Sequence, residues 1–506
     1  MSAVSDQTVE YTGSELTRGT NWWGAFVIGL AGTILVTGIA PLLVTNLGAT
    51  AIPTVFVITM SGVFLIFLLA EMSAMMPDRT GGSPTYAYPG FKIRYPRLAP
   101  HVNGATCWAY WLGWFPVAPL NGILASYYIA SLFGVNITSG FTPINTFVAW
   151  STFAIAFVLI AVLSVVAYLG IRFGTIFATV LAMMAMIPLT FLTVAWMFKP
   201  SIVHWSELAG FPQLDGAGFF DSFANFGGHA WWFVYIGFSF TISWNVIAYE
   251  AAACYIGECR NPERDGPIAM TVSGAYGLFI YMLLPIGFIV VLGATALSDP
   301  SLVDPQTMFV KFAGTIFPGA LGEALDWGVA IMLIVALALS ALNALMGSAR
   351  GLYQMAVDGD FLRWFTHVNK HGVPGHAMLL NTVASFLVIM VGGAAEIYTF
   401  SNVGYIASFV PTVIAYYLLR KYAPEWRRPF RLPEAFKYIA LLIAALYTFI
   451  WIFGGIFFSI IYDTLIYYIL GWVVLLAYLP LYYYRIKVED PKYAREHPEE
   501  LATPEL

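Results

Sequence analysis

The chain has 506 residues, of which 59% are hydrophobic and only 10% charged, and its formal net charge is −5 at pH 7. So much apolar surface exceeds what a soluble domain hides, and the sequence therefore predicts an all-α integral membrane protein. The acidic balance, with basic residues scattered between apolar runs and never gathered into a stripe, excludes a nucleic-acid partner.

Residues 1–21, MSAVSDQTVEYTGSELTRGTN, are polar and lack the basic start, apolar run and small-residue cleavage site of a signal peptide. They are expected to form a cytoplasmic segment. A spanning helix takes about 20 apolar residues, and about twelve such stretches follow, centred near residues 34, 64, 118, 157, 185, 243, 281, 335, 386, 409, 448 and 475. The pattern predicts transmembrane helices 1–5 over 22–198, an extracellular loop over 199–229 and helices 6–10 over 230–420. A cytoplasmic linker over 421–437, helices 11 and 12 over 438–485 and a cytoplasmic tail over 486–506 complete the chain. With the amino terminus inside, only Lys199 and Lys311 of the 23 basic residues fall outside. Short cytoplasmic loops hold Lys and Arg, so this orientation is the expected one, in the cell membrane with both termini cytoplasmic.

The first span, NWWGAFVIGLAGTILVTGIAPLLVTNLGA, scatters Gly29, Gly32, Gly38 and Pro41 through its centre and makes a poor continuous helix. Broken backbone at membrane depth persists only where protein or a watery cavity satisfies its amides and carbonyls, so the break predicts a binding site. Close helix packing is the alternative account of the same glycines. The sixth span is its counterpart, with Gly237, Ser239, Thr241, Ser243 and Asn245 in its first half and a glutamate, Glu250, at the middle of the membrane-length segment. A carboxyl group in hydrocarbon is costly unless it faces a cavity, which points to a pathway for a solute or ion. Paired interruptions five spans apart predict two inverted halves, spans one to five and six to ten. Amides at one half-helix end attract a carboxylate and carbonyls at the other attract a cation, which suits a zwitterionic amino acid. Trp244, Tyr249, Tyr110 and Trp114 are candidate rings to occlude such a solute. Cys107, Cys254 and Cys259 lack metal-ligand spacing and read as small apolar fillers; no metal or cofactor is expected.

Four stretches in order carry a family resemblance. The second span ends AEMSAMMPDRTGGSPTYAY, with Glu71, Pro77, Gly81, Gly82 and Tyr86, and the sixth ends AYEAAACYIGECRNPERDGP, with Glu258, Asn261, Pro262 and Arg264. Span eight runs into SARGLYQMAVDGDF, with Ser348, Arg350, Tyr353, Asp358 and Gly359, and RRPFRLP follows span ten. Together they resemble the amino acid, polyamine and organocation permease superfamily from about Trp22 to Pro433. The resemblance implies twelve transmembrane helices in the five-plus-five inverted-repeat, LeuT-type fold with interrupted helices 1 and 6, and a substrate held between spans one, three, six, eight and ten. Carried onto this chain, it implies substrate contacts from Val36, Thr37, Gly38, Ile39, Trp114, Trp244, Asn245, Ala248 and Tyr249. Coupling or gating then falls to Glu250 and Ser340, the latter for a sodium ion. The chain departs from the pattern at the span-one break, where Val36, Thr37, Gly38, Ile39 and Ala40 replace Gly-Ser-Gly-Ile-Phe. Nothing basic lies between Arg172 and Lys199, so a lysine standing in for sodium is absent from span five.

The resulting expectation is a secondary active permease, not an enzyme, that moves amino acids by alternating access with proton symport. A polyamine or other organic amine, and sodium-coupled symport or exchange, are the alternatives. The small-molecule substrate, the coupling ion and the lipid bilayer are its expected partners. Glu71 and the pairing of Glu258, Asn261, Pro262 and Arg264 with Arg350 and Asp358, read as lying past span eight, are expected to be structural or to close an inner gate. A parallel six-plus-six facilitator predicts similar patterns at spans one and seven, and a membrane enzyme would need a nucleophile or metal pattern that the sequence lacks.

Overall fold

The computed structural model describes residues 16–134, 150–209, 222–223, 228–391 and 394–496. Helix α1 (Trp22–Thr33) begins at Asn21, whose side chain accepts the Gly24 amide at 3.1 Å. Ile34 and Leu35 separate it from α2 (Val36–Leu47), and α3 (Ala51–Met75), α4 (Ala87–Arg94), α5 (Ala99–Trp114) and α6 (Val117–Leu132) follow. After α7 (Trp150–Tyr168) and α8 (Ile171–Ala195), a two-residue strand β1 (Ser222–Phe223) pairs antiparallel with β2 (His229–Ala230). Helix α9 (Trp231–Ile247) gives way to a 3-10 stretch over Ala248–Glu258, then α10 (Pro262–Leu297), α11 (Pro305–Ile316) and α12 (Ala320–Val357). The rest is α13 (Gly375–Val391), α14 (Ala394–Tyr422), α15 (Phe436–Phe449), α16 (Gly455–Ile461), α17 (Leu465–Leu476), α18 (Tyr478–Tyr484) and α19 (Asp490–Glu496).

Among the described residues, nine helical stretches are long and apolar enough to cross a membrane, the first running Trp22–Met75 through α1, α2 and α3. Gly375–Met390 is a shorter apolar helix. The span expected around residue 118 is not a plain apolar run: it divides into α5 and α6 at Phe115 and Pro116, where proline supplies no amide. The helices sort by burial. Helix α12 is almost wholly enclosed from Met332 onward and α9 and α14 largely so, whereas most residues of α8 and α17 are exposed or half-buried. Val158, Val162, Ile176, Ile187, Ile466 and Val473 form part of an apolar outer surface suited to lipid tails.

Glycines set the closest crossings. A Cβ on Gly29 would stand 2.4 Å from the Ala252 amide nitrogen, and one on Gly32 would stand 2.2 Å from the Ala248 carbonyl oxygen. Close packing, the alternative account, is therefore correct for these two, while Gly38 faces open space. Glu71 is fully buried and gathers the linker: Arg420 Nη2 reaches it at 2.5 Å, Arg428 Nε at 3.1 Å, the Tyr416 hydroxyl at 3.0 Å and the Leu432 amide at 2.9 Å. This is the structural role expected of Glu71. The RRPFRLP segment is thereby tied to the end of α3.

Candidate functional site

The interruptions of the first and sixth spans meet. Gly32 and Ala248 touch where α1 crosses the 3-10 stretch, two residues before one break and at the start of the other. The first break is short and tight. Ile34 and Leu35 keep right-handed backbone angles, and the amides of Thr37, Gly38 and Ile39 donate to the carbonyls of Ile34, Leu35 and Leu35 at 3.1, 3.0 and 3.3 Å. Those three amides are bonded within the turn, because the chain tightens instead of unwinding. Val36 and Ile39 are buried, the Thr37 hydroxyl donates to the Ile34 carbonyl at 3.0 Å, and Gly38 is exposed.

Glu250 lies in the second break with its side chain fully buried. Its Oε1 accepts from the Tyr110 hydroxyl at 2.9 Å and from the Tyr405 hydroxyl at 3.0 Å. Ser83, which opens the 3-10 turn Ser83–Tyr86, and Trp114 stand beside the same carboxylate. Glu250 Oε2, Ser83 Oγ and Trp114 Nε1 are all buried without an aligned hydrogen bond among the described residues. Unpaired polar atoms carry a large desolvation cost, so several of them converging on one place mark a site. Tyr110 also shares its hydroxyl with Cys254 Sγ at 2.9 Å, which gives that thiol a polar contact beyond its filling role.

Aromatic rings wall this carboxylate. Trp114 meets Tyr405 edge-on at 5.5 Å between centroids, and Trp244 meets Tyr398 at 4.7 Å and Tyr405 at 6.4 Å. The Trp244 indole N–H is buried and has no partner among the described residues. Asn245 donates to the Thr241 carbonyl at 3.0 Å and to the Tyr398 hydroxyl at 3.4 Å. Tyr249 turns away: it packs against Gly277 and stands 5.3 Å from Tyr281, outside the aromatic cluster. Ala248 belongs to the helix crossing, and Ser340 is fully buried with a hydroxyl that has no partner among the described residues. The sequence reading missed Tyr398 and Tyr405. With Asn402, which donates to the Phe240 carbonyl at 2.8 Å, they form an i, i+4, i+7 polar stripe along α14 that was there to be read.

One end of the bundle is closed by buried ion pairs. Arg350 sits inside α12, not past it, and its guanidinium engages both Glu258 oxygens, with Nη2 to Oε2 at 3.0 Å. Arg79 bonds both Asp358 oxygens, at 3.2 and 2.5 Å. Thr80 joins these layers, its amide donating to Gln354 at 3.3 Å and its hydroxyl to the Cys254 carbonyl at 3.2 Å. Gly81 and Gly82 adopt positive φ here, where a Cβ would meet the Arg350 carbonyl oxygen at 2.7 Å or Cys254 Sγ at 2.9 Å.

Apolar membrane-length helices around a buried polar centre define a multi-pass membrane protein. A family model described as amino acid permease matches residues 21–475, and the chain belongs to that family. It is similar to the proline-specific permease of Emericella nidulans, 26% identical over 79% of this chain and 68% of that one, and to the gamma-aminobutyric acid permease of Bacillus subtilis, 24% identical over 70% and 68%. It is also similar to the probable agmatine/putrescine antiporter of Lactococcus lactis, 22% identical over 39% of this chain and 42% of that one. The chain thus spans less than half the length of that relative. The named relatives are thus amino acid permeases and a probable agmatine/putrescine antiporter.

Proposed function

We propose that the protein is a secondary active transporter of amino acids in the cell membrane, working by alternating access as a proton symporter. Twelve spans in two inverted halves, with both termini cytoplasmic, are part of this reading. The solute lodges between the α1–α2 junction at Val36–Ile39, Trp114 and the break around Trp244, Asn245 and Ala248, with Tyr249 supporting the break from behind. Glu250 is the coupling carboxyl and Ser340 a secondary ion contact. The observation that carries this is the buried Glu250 carboxylate held by Tyr110 and Tyr405 inside a ring of aromatic side chains. A carboxyl so placed changes charge only by taking or losing a proton, and either event alters what a solute beside it meets.

The second reading is an amine carrier. A carboxylate oxygen without an aligned donor among the described residues, set among Trp114, Trp244 and Tyr405, offers an ammonium both a counter-ion and ring faces. Counterflow in proteoliposomes tests both: preloaded protein should accumulate labelled amino acid, or labelled putrescine in the second case, only across a sealed bilayer. Accumulation of neither class would overturn the transporter reading.

A further inference from the structure

Beyond Glu250 the chain buries another carboxyl, at the closed end of the bundle. Gly359, at φ 89°, turns the chain after Asp358, and the Asp360 amide returns to the Met355 carbonyl at 3.0 Å. The Asp360 side chain ends 3% exposed against α5. Asn103 Nδ2 donates both to Asp358 Oδ2, at 2.9 Å, and to Asp360 Oδ2, at 2.7 Å, which draws two carboxyls to one amide. Asp358 is further bound by Arg79 and by Gln354 Nε2 at 3.1 Å. The other groups facing Asp360 are Cys107 on α5, Tyr88 on α4, Tyr478 and Tyr482 on α18, and Arg485. Arg485 is itself engaged, donating to the Phe361 carbonyl and to Asp490, both at 2.6 Å. Two acids sharing one amide in a dry setting are stable together when one of them is protonated.

We propose that Asp360 is a proton-binding site of the cytoplasmic gate, loaded when this end of the bundle closes and emptied to the cytoplasm when it opens. The proposal rests on the alternating-access reading and concerns a proton distinct from one on Glu250. One proton moves from cytoplasmic water to an Asp360 oxygen on closure and returns on opening. Burial outweighs the arginines and pushes Asp360 up to about 8. A carboxyl whose pKa is raised in one arrangement stabilises that arrangement at low pH. The closed gate is therefore favoured in full below the ordinary aspartate range, and that preference is lost as the pH rises through about 8.

The test needs no substrate. Cys107 Sγ lies 3.6 Å from Asn103 Oδ1 and is buried behind the carboxyl pair, so its alkylation by an uncharged maleimide reports gate opening. Labelling is followed by peptide mass spectrometry in wild type and Asp360→Asn between about pH 6 and about pH 9. Dividing the two rates removes the pH dependence that both thiols share, and the Asp360 charge facing Cys107 slows wild-type labelling in alkali, opposite to the expected rise. The ratio of wild-type to variant rate should be smallest at the acid end, where the closed-gate carboxyl is neutral, and rise several-fold in alkali. A ratio flat across that range overturns the proposal, and Asp360→Ser supplies the same comparison if the asparagine variant does not purify. A flat ratio would leave transport untouched, while failure of counterflow would leave the labelling result standing.

Discussion

Arg350 and Glu258 form an ion pair in which both side chains are completely enclosed, joining the end of the 3-10 stretch to the interior of α12. Tyr255 backs the guanidinium at 5.0 Å and donates to Asn343 Oδ1 at 2.7 Å. Removing one partner of a buried pair leaves an uncompensated charge and costs about 3–5 kcal/mol, whereas replacing both with apolar groups is often neutral. Arg350→Met and Glu258→Met should each lower the melting temperature of the purified protein markedly, and the double variant should recover most of the loss. Equal melting of single and double variants would show that the pair is not energetically coupled.

Two glycines of the first span should separate packing from local freedom. Gly32→Ala drives a methyl group into the Ala248 carbonyl and should destabilise the fold or abolish its accumulation, because the neighbour is backbone and cannot swing aside. Gly38→Ala meets nothing within 4 Å and sits in α2 with helical geometry, so it should be neutral or gain up to about 1 kcal/mol. Thermal unfolding of the two variants checks the contrast, which fails if both behave alike.

Much of this was readable in the residues, and the rest depended on which way side chains turn. Apolar run lengths gave most of the spans, and Glu250, Trp114 and Trp244 were singled out from their chemistry. Periodicity could not show that Tyr249 faces α10 while Glu250, the next residue, faces α5 and α14, since tight 3-10 winding sets those directions. The third span's division needed Pro116 weighed together with Pro119, and hydropathy alone hides it. Tyr398 and Tyr405 escaped because tyrosines are common in this chain and only their spacing distinguishes them.

Glu71 anchors a remote loop, and its loss should be structural only. Glu71→Ala leaves Arg420 and Arg428 without their shared carboxylate in a buried place. The expected result is a stability loss of about 3–5 kcal/mol, seen as a lower melting temperature. The shift in that temperature on adding a substrate should keep its wild-type concentration dependence. A changed ligand dependence would move Glu71 into the binding machinery.

Trp244 stands edge-on to Tyr398 with its N–H unpartnered among the described residues, so ring area and polarity are both available to a solute. Trp244→Ala should cost about 1–2 kcal/mol of binding, about five- to thirty-fold in apparent affinity, and Trp244→Phe should restore part of it if a ring face is what the solute meets. Saturation of uptake, or of ligand-induced thermal shifts, measures the change. An apparent affinity unaltered by the alanine variant would assign Trp244 to packing.

Glu250→Gln keeps the shape of the side chain and an oxygen for the Tyr110 and Tyr405 hydroxyls, but it can no longer alternate between charged and neutral forms. If Glu250 is the coupling group, the variant should lose the stimulation of uptake by an inward proton gradient while retaining exchange of substrate for substrate, which needs no net proton movement. Tyr405→Phe removes one donor to the carboxylate and leaves its protonation possible, so it should keep gradient-driven uptake with an altered pH dependence. Proteoliposome uptake with and without an imposed pH difference measures both. Undiminished stimulation in the glutamine variant would transfer the coupling role to another residue, and unchanged pH dependence in Tyr405→Phe would show that its hydroxyl does not tune the carboxyl.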